Sequence, residues 1–567
     1  MIIEVIYIPI LLAVLTMTGF MTGKYMAQVF NGEKTFLTPV LKPVEKFIYS
    51  VCSVDEYEEM NWKTYTFSVV FFSFMNIAFL FLLQLMQGYL PLNPQKFPGV
   101  RWDTALNTAI SFVTNTNWQS YGGETTMSYL TQMLGLTVQN FLSASVGIAA
   151  SLAMIRGFIK KETENIGNFW VDLTRSTIYI LLPISVVVAI ILVLQGVPQT
   201  LSPYITARTL EGNNQTIAVG PVASQIAIKQ LGTNGGGFFN ANSSHPFENP
   251  DGLTNSVEVF SIIFLSIALL FAFGFMINNS KQSWAIYWAV MIIFILGLSL
   301  ALWSEFQGNP ILAKLGVSGG MNMEGKEVRF GIIHSVLWGH MTTCTSNGSV
   351  NSMHDSLLPL TPLIYMFNMG IGEVLFGGLG VGLIGIFFYI VITMFIAGLM
   401  IGRTPEFLGK KLGALDVVMA AVGVLMSAVS MLIFSAVALS TSTGISSLNN
   451  PSCHGLSEIL YAYFSGAGNN GSAFAGLNAN TPFYNLTIGL LILTGRFATL
   501  VPGLVVAGSL AGKRIVPESS ATFPTTSIIF VIMFASVILI VGALTFLPVF
   551  ALGPVLEYLF MQKGLVF

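Results

Sequence analysis

Residues 261–276 read SIIFLSIALLFAFGFM, without one charged side chain, and residues 386–401 are equally apolar. About twenty apolar residues in a helix cross the hydrocarbon core of a bilayer. The rest of the chain has the same character: of its 567 residues, 53% are hydrophobic and 9% are charged. An ordinary soluble domain carries about 25% charge, and disorder requires low hydrophobicity. The sequence therefore predicts an all-α, polytopic membrane protein.

Net charge and cysteine content exclude two further classes. The formal net charge is -2, so we expect no nucleic-acid partner. Cys52, Cys344 and Cys453 are far apart and form no CxxC pair, so neither a disulfide framework nor a thiolate metal site is indicated. The five histidines lack metal-ligand spacing, and we expect no transition-metal site.

Hydropathy predicts about ten transmembrane helices. The expected regions are 3–22, 65–90, 128–157, 172–195, 254–278, 284–306, 357–401, 414–440, 483–511 and 526–549. Two of these regions are too long for one regular helix, and we expect interruptions in them. With the amino terminus outside, the inner connections hold about twice as many Lys and Arg residues as the outer ones, although they are shorter. This imbalance predicts that both termini are extracytoplasmic.

Four outer connections share one layout. Each has a short, partly apolar segment followed by a run rich in Gly, Asn, Ser and Thr, and then the next span. The runs are residues 114–123 (TNTNWQSYGG), 232–244 (GTNGGGFFNANSS), 344–353 (CTSNGSVNSM) and 466–478 (GAGNNGSAFAGLN). The segments before them, 102–113, 223–231, 330–341 and 456–464, are too short to span, and we interpret them as re-entrant pore helices.

This layout predicts four span–pore helix–loop–span repeats with one extra helix at each end. The expected units are 65–160, 161–280, 281–412 and 413–515. Residues 1–64 would hold the first span and a cytoplasmic loop, and residues 516–567 the last span and a tail.

Neutral oxygens dominate the four runs, which contain no carboxylate. Irregular backbone inside a membrane is tolerated only where it lines water or is buried in protein. Loops of this kind replace the hydration shell of a cation with backbone carbonyls, and a site without carboxylates suits a large monovalent cation better than Mg²⁺ or Ca²⁺. Ordinary surface turns have the same composition. Four such loops at near-equal spacing on one membrane face favour the pore.

At these loops the sequence resembles the potassium-transporting ATPase A subunit (KdpA) family, of the superfamily that includes the Trk, Ktr and HKT transporters. The stretches that carry the resemblance are KQLGTNGGGFFNANSSHPFENP (229–250), TCTSNGSVNSMHDSLLPLTP (343–362) and SGAGNNGSAFAGLN (465–478). The resemblance implies the potassium-binding and translocating subunit of an ATP-driven K⁺ importer in a bacterial or archaeal cell membrane.

The family's potassium filter maps onto all four loops, mostly through backbone oxygens. Its expected residues are Asn115, Thr116, Asn117, Gln119, Thr233, Asn234, Gly235, Thr345, Ser346, Asn347, Gly348, Gly468, Asn469, Asn470 and Gly471. Gln119 is bulkier than its counterparts, and either shapes the mouth or packs behind the loop. We expect Lys229, just before the second loop, to be a solvated or outer-mouth residue and not a filter ligand.

Two charges lie within predicted spans. Glu373 is surrounded by glycines, including Gly377, Gly378 and Gly380, and Arg496 lies in LILTGRFATLVPG. Charges inside a membrane are costly and usually paired or functional. We expect these residues to form a gate or ion path below the filter. The alternative is a static ion pair between Glu373 and Arg496.

No energy source is visible in the chain. It has neither a GxxxxGK[ST] run nor a DKTGT-type phosphorylation string, so it should not hydrolyse ATP. The resemblance implies a P-type ATPase catalytic partner (KdpB-like), with KdpC-like and small KdpF-like membrane subunits. It implies no cofactor, with K⁺ as the bound substrate. The alternative is a stand-alone K⁺ channel or symporter subunit of the same superfamily.

Overall fold

The computed structural model describes residues 2–317, 321–372, 374–517 and 523–566. Within these ranges, ten helices are long and apolar enough to cross a membrane, as predicted. They are Ile2–Phe30, Trp62–Met86, Thr131–Ile159, Phe169–Leu194, Gly252–Met276, Ser280–Phe306, Val381–Ile401, Ala414–Ser440, Pro482–Ala511 and Ile528–Leu552. We number them as the first to tenth spans.

Two spans contain a segment of π-helix in addition to α-helix. The third begins with a π-helical segment, Thr131–Thr137, and the fourth contains another, Ser176–Leu181. Polar side chains cap the first turn of two other spans. In the second span, the Asn61 side chain accepts hydrogen bonds from the backbone N–H groups of Lys63 and Thr64. In the fifth span, Asp251 forms a capping box with Thr254. These caps satisfy amide groups that a helix start leaves without partners.

Four short helices occupy the positions predicted for pore helices. They are Trp102–Val113, Val222–Leu231, Gly331–Cys344 and Ser452–Ala467. Each follows a span, is mostly buried and leads into one of the polar runs. The fold of four span–pore helix–loop–span repeats between two additional helices is therefore confirmed. The exact unit boundaries stay a prediction.

The predicted region 357–401 is interrupted. A helix, Leu360–Gly370, ends before a non-helical stretch, and the seventh span begins at Val381. Gly372, Phe376 and Gly380 have φ values of 78°, 61° and 88° in this stretch. Left-handed residues of this kind end helices, so the backbone is unwound at the described residues between the two helices.

The remaining elements are short. The other helices are Thr38–Cys52, Gln87–Tyr89, Gly123–Thr126, Asn242–Ser244, Pro310–Lys314, His354–Ser356, Ser442–Ile445 and Pro554–Lys563. Three antiparallel ribbons pair Met60–Asn61 with Asn165–Gly167, Ile205–Arg208 with Asn214–Ile217, and Glu406–Phe407 with Lys410–Lys411. The helices Thr38–Cys52 and Pro554–Lys563 lie where the sequence analysis placed only a loop and a tail.

Candidate cation site

The four polar loops share an unusual backbone conformation. In each loop, two residues with positive φ values lie on either side of a single residue. The pairs are Asn115 and Asn117, Thr233 and Gly235, Ser346 and Gly348, and Asn469 and Gly471. Left-handed backbone costs a residue with a side chain about 1–2 kcal/mol. Its repetition at equivalent positions shows that the fold imposes the same geometry on all four loops.

The loops close into a ring in chain order. Asn115 Nδ2 of the first loop donates to Thr233 O of the second at 2.9 Å. Ser346 Oγ of the third loop donates to Asn469 O of the fourth at 2.6 Å. Asn469 Nδ2 then donates to Thr116 Oγ1 of the first loop at 2.8 Å. Residues more than a hundred positions apart are thereby held together.

Glycine is required where the second and third loops meet. A Cβ atom on Gly235 would lie 1.7 Å from Asn347 O. The same relation recurs around the ring, because a Cβ atom on Gly348 would lie 2.1 Å from Asn470 O, and one on Gly471 2.1 Å from Thr116 O. Backbone carbonyls of one loop therefore touch the α carbon of the neighbouring loop, and a side chain has no room between them.

The asparagine side chains hold the loops. Asn347 Oδ1 accepts from the Ser349 backbone N–H at 3.0 Å, and Asn347 Nδ2 donates to Lys229 O at 3.2 Å. In the fourth loop, Asn470 Oδ1 accepts from the Ser472 N–H, while Asn470 Nδ2 donates to a carbonyl of the third pore helix. These amides are occupied by protein partners, so backbone carbonyls are the oxygens best placed to bind a cation.

A cavity of about 850 Å³ opens above the ring. We call it the vestibule. It is lined by residues of all four loops, including Asn117, Gly235, Gly348 and Gly471. Gln119 also lines it, and its amide donates to Gly237 O and accepts from Gly237 N, both at 3.0 Å. Of the two placements expected for Gln119, the structure has the one at the mouth.

The unwound part of the seventh-span region packs against the ring. A Cβ atom on Gly378 would lie 2.8 Å from Ser346 Cβ, and the Leu379 N–H donates to Thr233 Oγ1 at 2.9 Å. Gly377 O accepts from Ser266 Oγ at 3.0 Å, and Gly380 packs against Gly147 O. The predicted glycines thus lie next to the second and third loops and their supporting spans. Glu373 lies outside the described residues.

Arg496 is buried on the ninth span and linked to the first loop. Its Nη2 donates to Ser143 O at 2.8 Å, and Ser143 Oγ donates to Asn115 Oδ1 at 2.8 Å. One residue of the third span therefore connects this cation to the ring. The expected gate role of Glu373 and Arg496, and its alternative of a static ion pair, both stay predictions.

The expectation that Lys229 is solvated was wrong. Lys229 and Glu248 have no exposed side-chain surface, and their charged groups are 2.5 Å apart. Lys229 Nζ also donates to Asn242 Oδ1 at 2.7 Å, and Asn242 Nδ2 donates to Gly235 O at 2.8 Å. This buried pair therefore supports the second loop. The sequence held one sign of this pair, namely that a lysine and a glutamate lie within the same stretch of otherwise uncharged residues.

A second charged cluster lies where the fourth pore helix begins. His454 Nδ1 contacts Glu557 at 2.9 Å and Nε2 contacts Asp355 at 3.0 Å. Burial alone would lower the pKa of His454, but the hydrogen bonds to Asp355 and Glu557 outweigh it and raise the pKa to about 10. Asp355, His454 and Glu458 are close enough to share a metal ion. However, a protonated imidazole is not a metal ligand, so we assign no metal there.

Comparison with known proteins gives a consistent picture. The family described as "Potassium-transporting ATPase A subunit" matches residues 9–559. The chain is 53% identical over 545 residues to the potassium-transporting ATPase potassium-binding subunit of Brucella anthropi, covering 96% of each chain. It is 51% identical to the protein of that name from Pseudomonas aeruginosa, covering 98% of this chain and 99% of the relative.

One solved structure supports the fold. The potassium transporter TrkH from Vibrio parahaemolyticus matches with a TM-score of 0.53 at 12% identity, covering 86% of this chain and 96% of TrkH. At this identity the likeness concerns architecture alone. The overall architecture is thus shared with a second membrane protein.

Proposed function

Because the chain belongs to the family of potassium-transporting ATPase A subunits, we propose that it binds and translocates K⁺ in an ATP-driven importer. It is the transport subunit rather than the catalytic one, and ATP hydrolysis belongs to a partner chain. The observation that carries this proposal is the closed ring of four loops with repeated left-handed residues. Such a ring offers neutral backbone oxygens around one site.

The proposed filter consists of the fifteen residues named above, from Asn115 in the first loop to Gly471 in the fourth. Backbone carbonyls bind the ion after it enters through the vestibule. The uncharged composition of the loops supports a monovalent cation as the substrate. The contacts between neighbouring loops support selectivity, because a ring held by its own backbone resists contraction around a smaller ion.

The proposed ion path includes Glu373, which lies outside the described residues, and continues through the unwound stretch that contains Gly377, Gly378 and Gly380. Its contacts with Ser346 and Thr233 support this role. Arg496 repels K⁺ or pairs with Glu373. A stretch without regular helical hydrogen bonds is typical of ion-conducting elements in transporters.

The proposed partners are a P-type ATPase catalytic subunit of the KdpB-like kind and KdpC-like and KdpF-like membrane subunits. The word "subunit" in the relatives' names supports a complex. The proposed location is a bacterial or archaeal cell membrane with both termini outside. The surplus of Lys and Arg on the connections opposite the vestibule supports this orientation.

Coexpression tests this division of labour. The purified chain should bind K⁺ in isothermal titration calorimetry, prefer it over Na⁺ and hydrolyse no ATP. With its partner ATPase it should confer K⁺-stimulated hydrolysis. Hydrolysis by the chain alone, or K⁺ flux through the chain alone in vesicles, would contradict the proposal. The second result would support the stand-alone channel instead.

A further inference from the structure

The helix Thr38–Cys52 packs against the protein through a mixed side that holds the carboxylate of Glu45 beside Leu41 and Ile48. Glu45 is buried on this helix and accepts hydrogen bonds from Arg175 Nε at 3.0 Å, Tyr179 Oη at 2.8 Å and Tyr49 Oη at 3.0 Å. Lys42 lies 3.2 Å from the Glu45 carboxylate. The Arg175 guanidinium and the Tyr179 hydroxyl therefore attach the helix to the fourth span, while the Tyr49 hydroxyl bonds Glu45 within the helix.

Four apolar side chains of the same helix are exposed, on a strip beside exposed Lys46 and Ser50. Val40, Val44, Phe47 and Val51 have exposed fractions of 69%, 45%, 69% and 66%. Their spacing of four, three and four residues places them on one helical face. We call this face the apolar stripe. Phe36, just before the helix, is 78% exposed.

A surface helix in water buries its apolar face and exposes its polar one, whereas this helix buries Glu45 and exposes four large apolar side chains. Removal of a valine or phenylalanine side chain from water stabilises a protein by about 1.5–3 kcal/mol, and an exposed side chain in water does not supply this free energy. The apolar stripe gains this stabilisation only if an apolar medium covers it.

The position of the helix identifies that medium. It lies between the end of the first span at Phe30 and the start of the second at Trp62, on the membrane side opposite the vestibule. Arg175, which binds Glu45, lies six residues into the fourth span, Phe169–Leu194. At 1.5 Å per residue, this is roughly 9 Å along the helix from its first residue. The helix Thr38–Cys52 therefore lies beside the end of a span, where interfacial helices lie.

We propose that Thr38–Cys52 is an interfacial helix whose apolar stripe lies in the bilayer. The occupant of this surface is lipid. Phe36, just before the stripe, contacts Tyr25 of the first span at 5.4 Å between ring centroids. The inference depends on the membrane-spanning fold and not on the proposed transport activity.

Spin labels on single cysteines test the proposal with the full chain in phosphatidylcholine–phosphatidylglycerol vesicles. Cys52 is exposed and is replaced by serine, whereas Cys344 and Cys453 are buried. A label introduced by Phe47→Cys lies on the stripe, and one introduced by Lys46→Cys is the matched control at the neighbouring exposed position. Collision rates with O₂, which enters lipid, and with a water-soluble nickel chelate are measured for each.

We expect the O₂-to-nickel collision ratio to be several-fold higher at position 47 than at position 46. Val40→Cys provides a second stripe position should Phe47→Cys fail to fold. Equal ratios at both positions, typical of water, would overturn the proposal. Nickel access at position 47 that disappears only when the partner ATPase is added would also overturn it, because the stripe would then bind protein.

Discussion

The closest contact in the ring provides its sharpest test. Gly235→Ala places a Cβ atom 1.7 Å from Asn347 O, whereas Cβ atoms essentially never approach other heavy atoms within 3.0 Å. The second and third loops must therefore separate by more than about 1 Å, well beyond the tolerance of a close-packed interior. Since both groups belong to backbone, no side-chain rotation relieves the contact.

The cost has two parts. Left-handed backbone costs alanine about 1–2 kcal/mol relative to glycine, and overpacking of a tight site costs about 1–3 kcal/mol. The smallest sum is about 2 kcal/mol. With about 1.4 kcal/mol for each tenfold change, K⁺ binding that requires the intact ring should weaken by roughly 30-fold or more. Gly235→Asp adds a charge to the same strain and should also reduce the preference for K⁺ over Na⁺.

Isothermal titration calorimetry of K⁺ binding, with Na⁺ competition, measures the effect. Gly252→Ala is the matched control, since Gly252 has no positive φ and a Cβ atom there would meet nothing within 4 Å. It should bind K⁺ like the wild type. If Gly235→Ala elutes as a folded protein and binds K⁺ with unchanged affinity and selectivity, the loops do not form the filter.

Three further predictions concern the charged groups. Lys229→Met leaves Glu248 buried without its cation, which should cost about 3–5 kcal/mol of stability and lower the unfolding temperature in detergent. Adding Glu248→Gln to this variant should recover much of the lost unfolding temperature. If the double variant shows no recovery, the two residues do not stabilise the protein as a pair. The pKa of His454 is raised to about 10 from about 6.5 in the unfolded chain, so its stabilisation is complete below about pH 6.5 and lost as the pH rises through 10. The difference in unfolding temperature between wild type and His454→Gln should shrink over this window, and a constant difference would exclude this titration. Glu373→Gln should slow K⁺ transport in vesicles or uncouple it from ATP hydrolysis at normal stability, and Arg496→Gln should act differently, by leaking K⁺. If both single variants are unstable and the double variant recovers, the two residues form a static ion pair instead.

The sequence alone was sufficient for the spans and for the repeat. A hydrocarbon layer of fixed thickness requires a certain length of apolar helix, so hydropathy averaged along the chain identifies each span without knowledge of its neighbours. The four polar loops were found for a similar reason. Their composition and spacing are properties of the chain, and irregular backbone within a membrane is restricted to a few uses.

Burial of individual charges could not be predicted in this way. Lys229 was expected in water, because a lysine beside a polar loop is usually solvated. Its burial depends on Glu248, nineteen positions later, and on Asn242, which together supply its partners. Whether a charge is buried is decided by the groups that the fold brings around it, and the chain order does not specify them.

The arrangement of the loops and the orientation of Thr38–Cys52 also depended on tertiary structure. Periodicity places Val40, Val44, Phe47 and Val51 on one face, but it does not say whether that face meets protein or lipid. Likewise, composition predicts four loops with neutral oxygens, whereas only packing brings Gly235 against Asn347 and Gly471 against Thr116. Hydropathy and periodicity are local along the chain, while contacts between distant residues depend on how the spans pack.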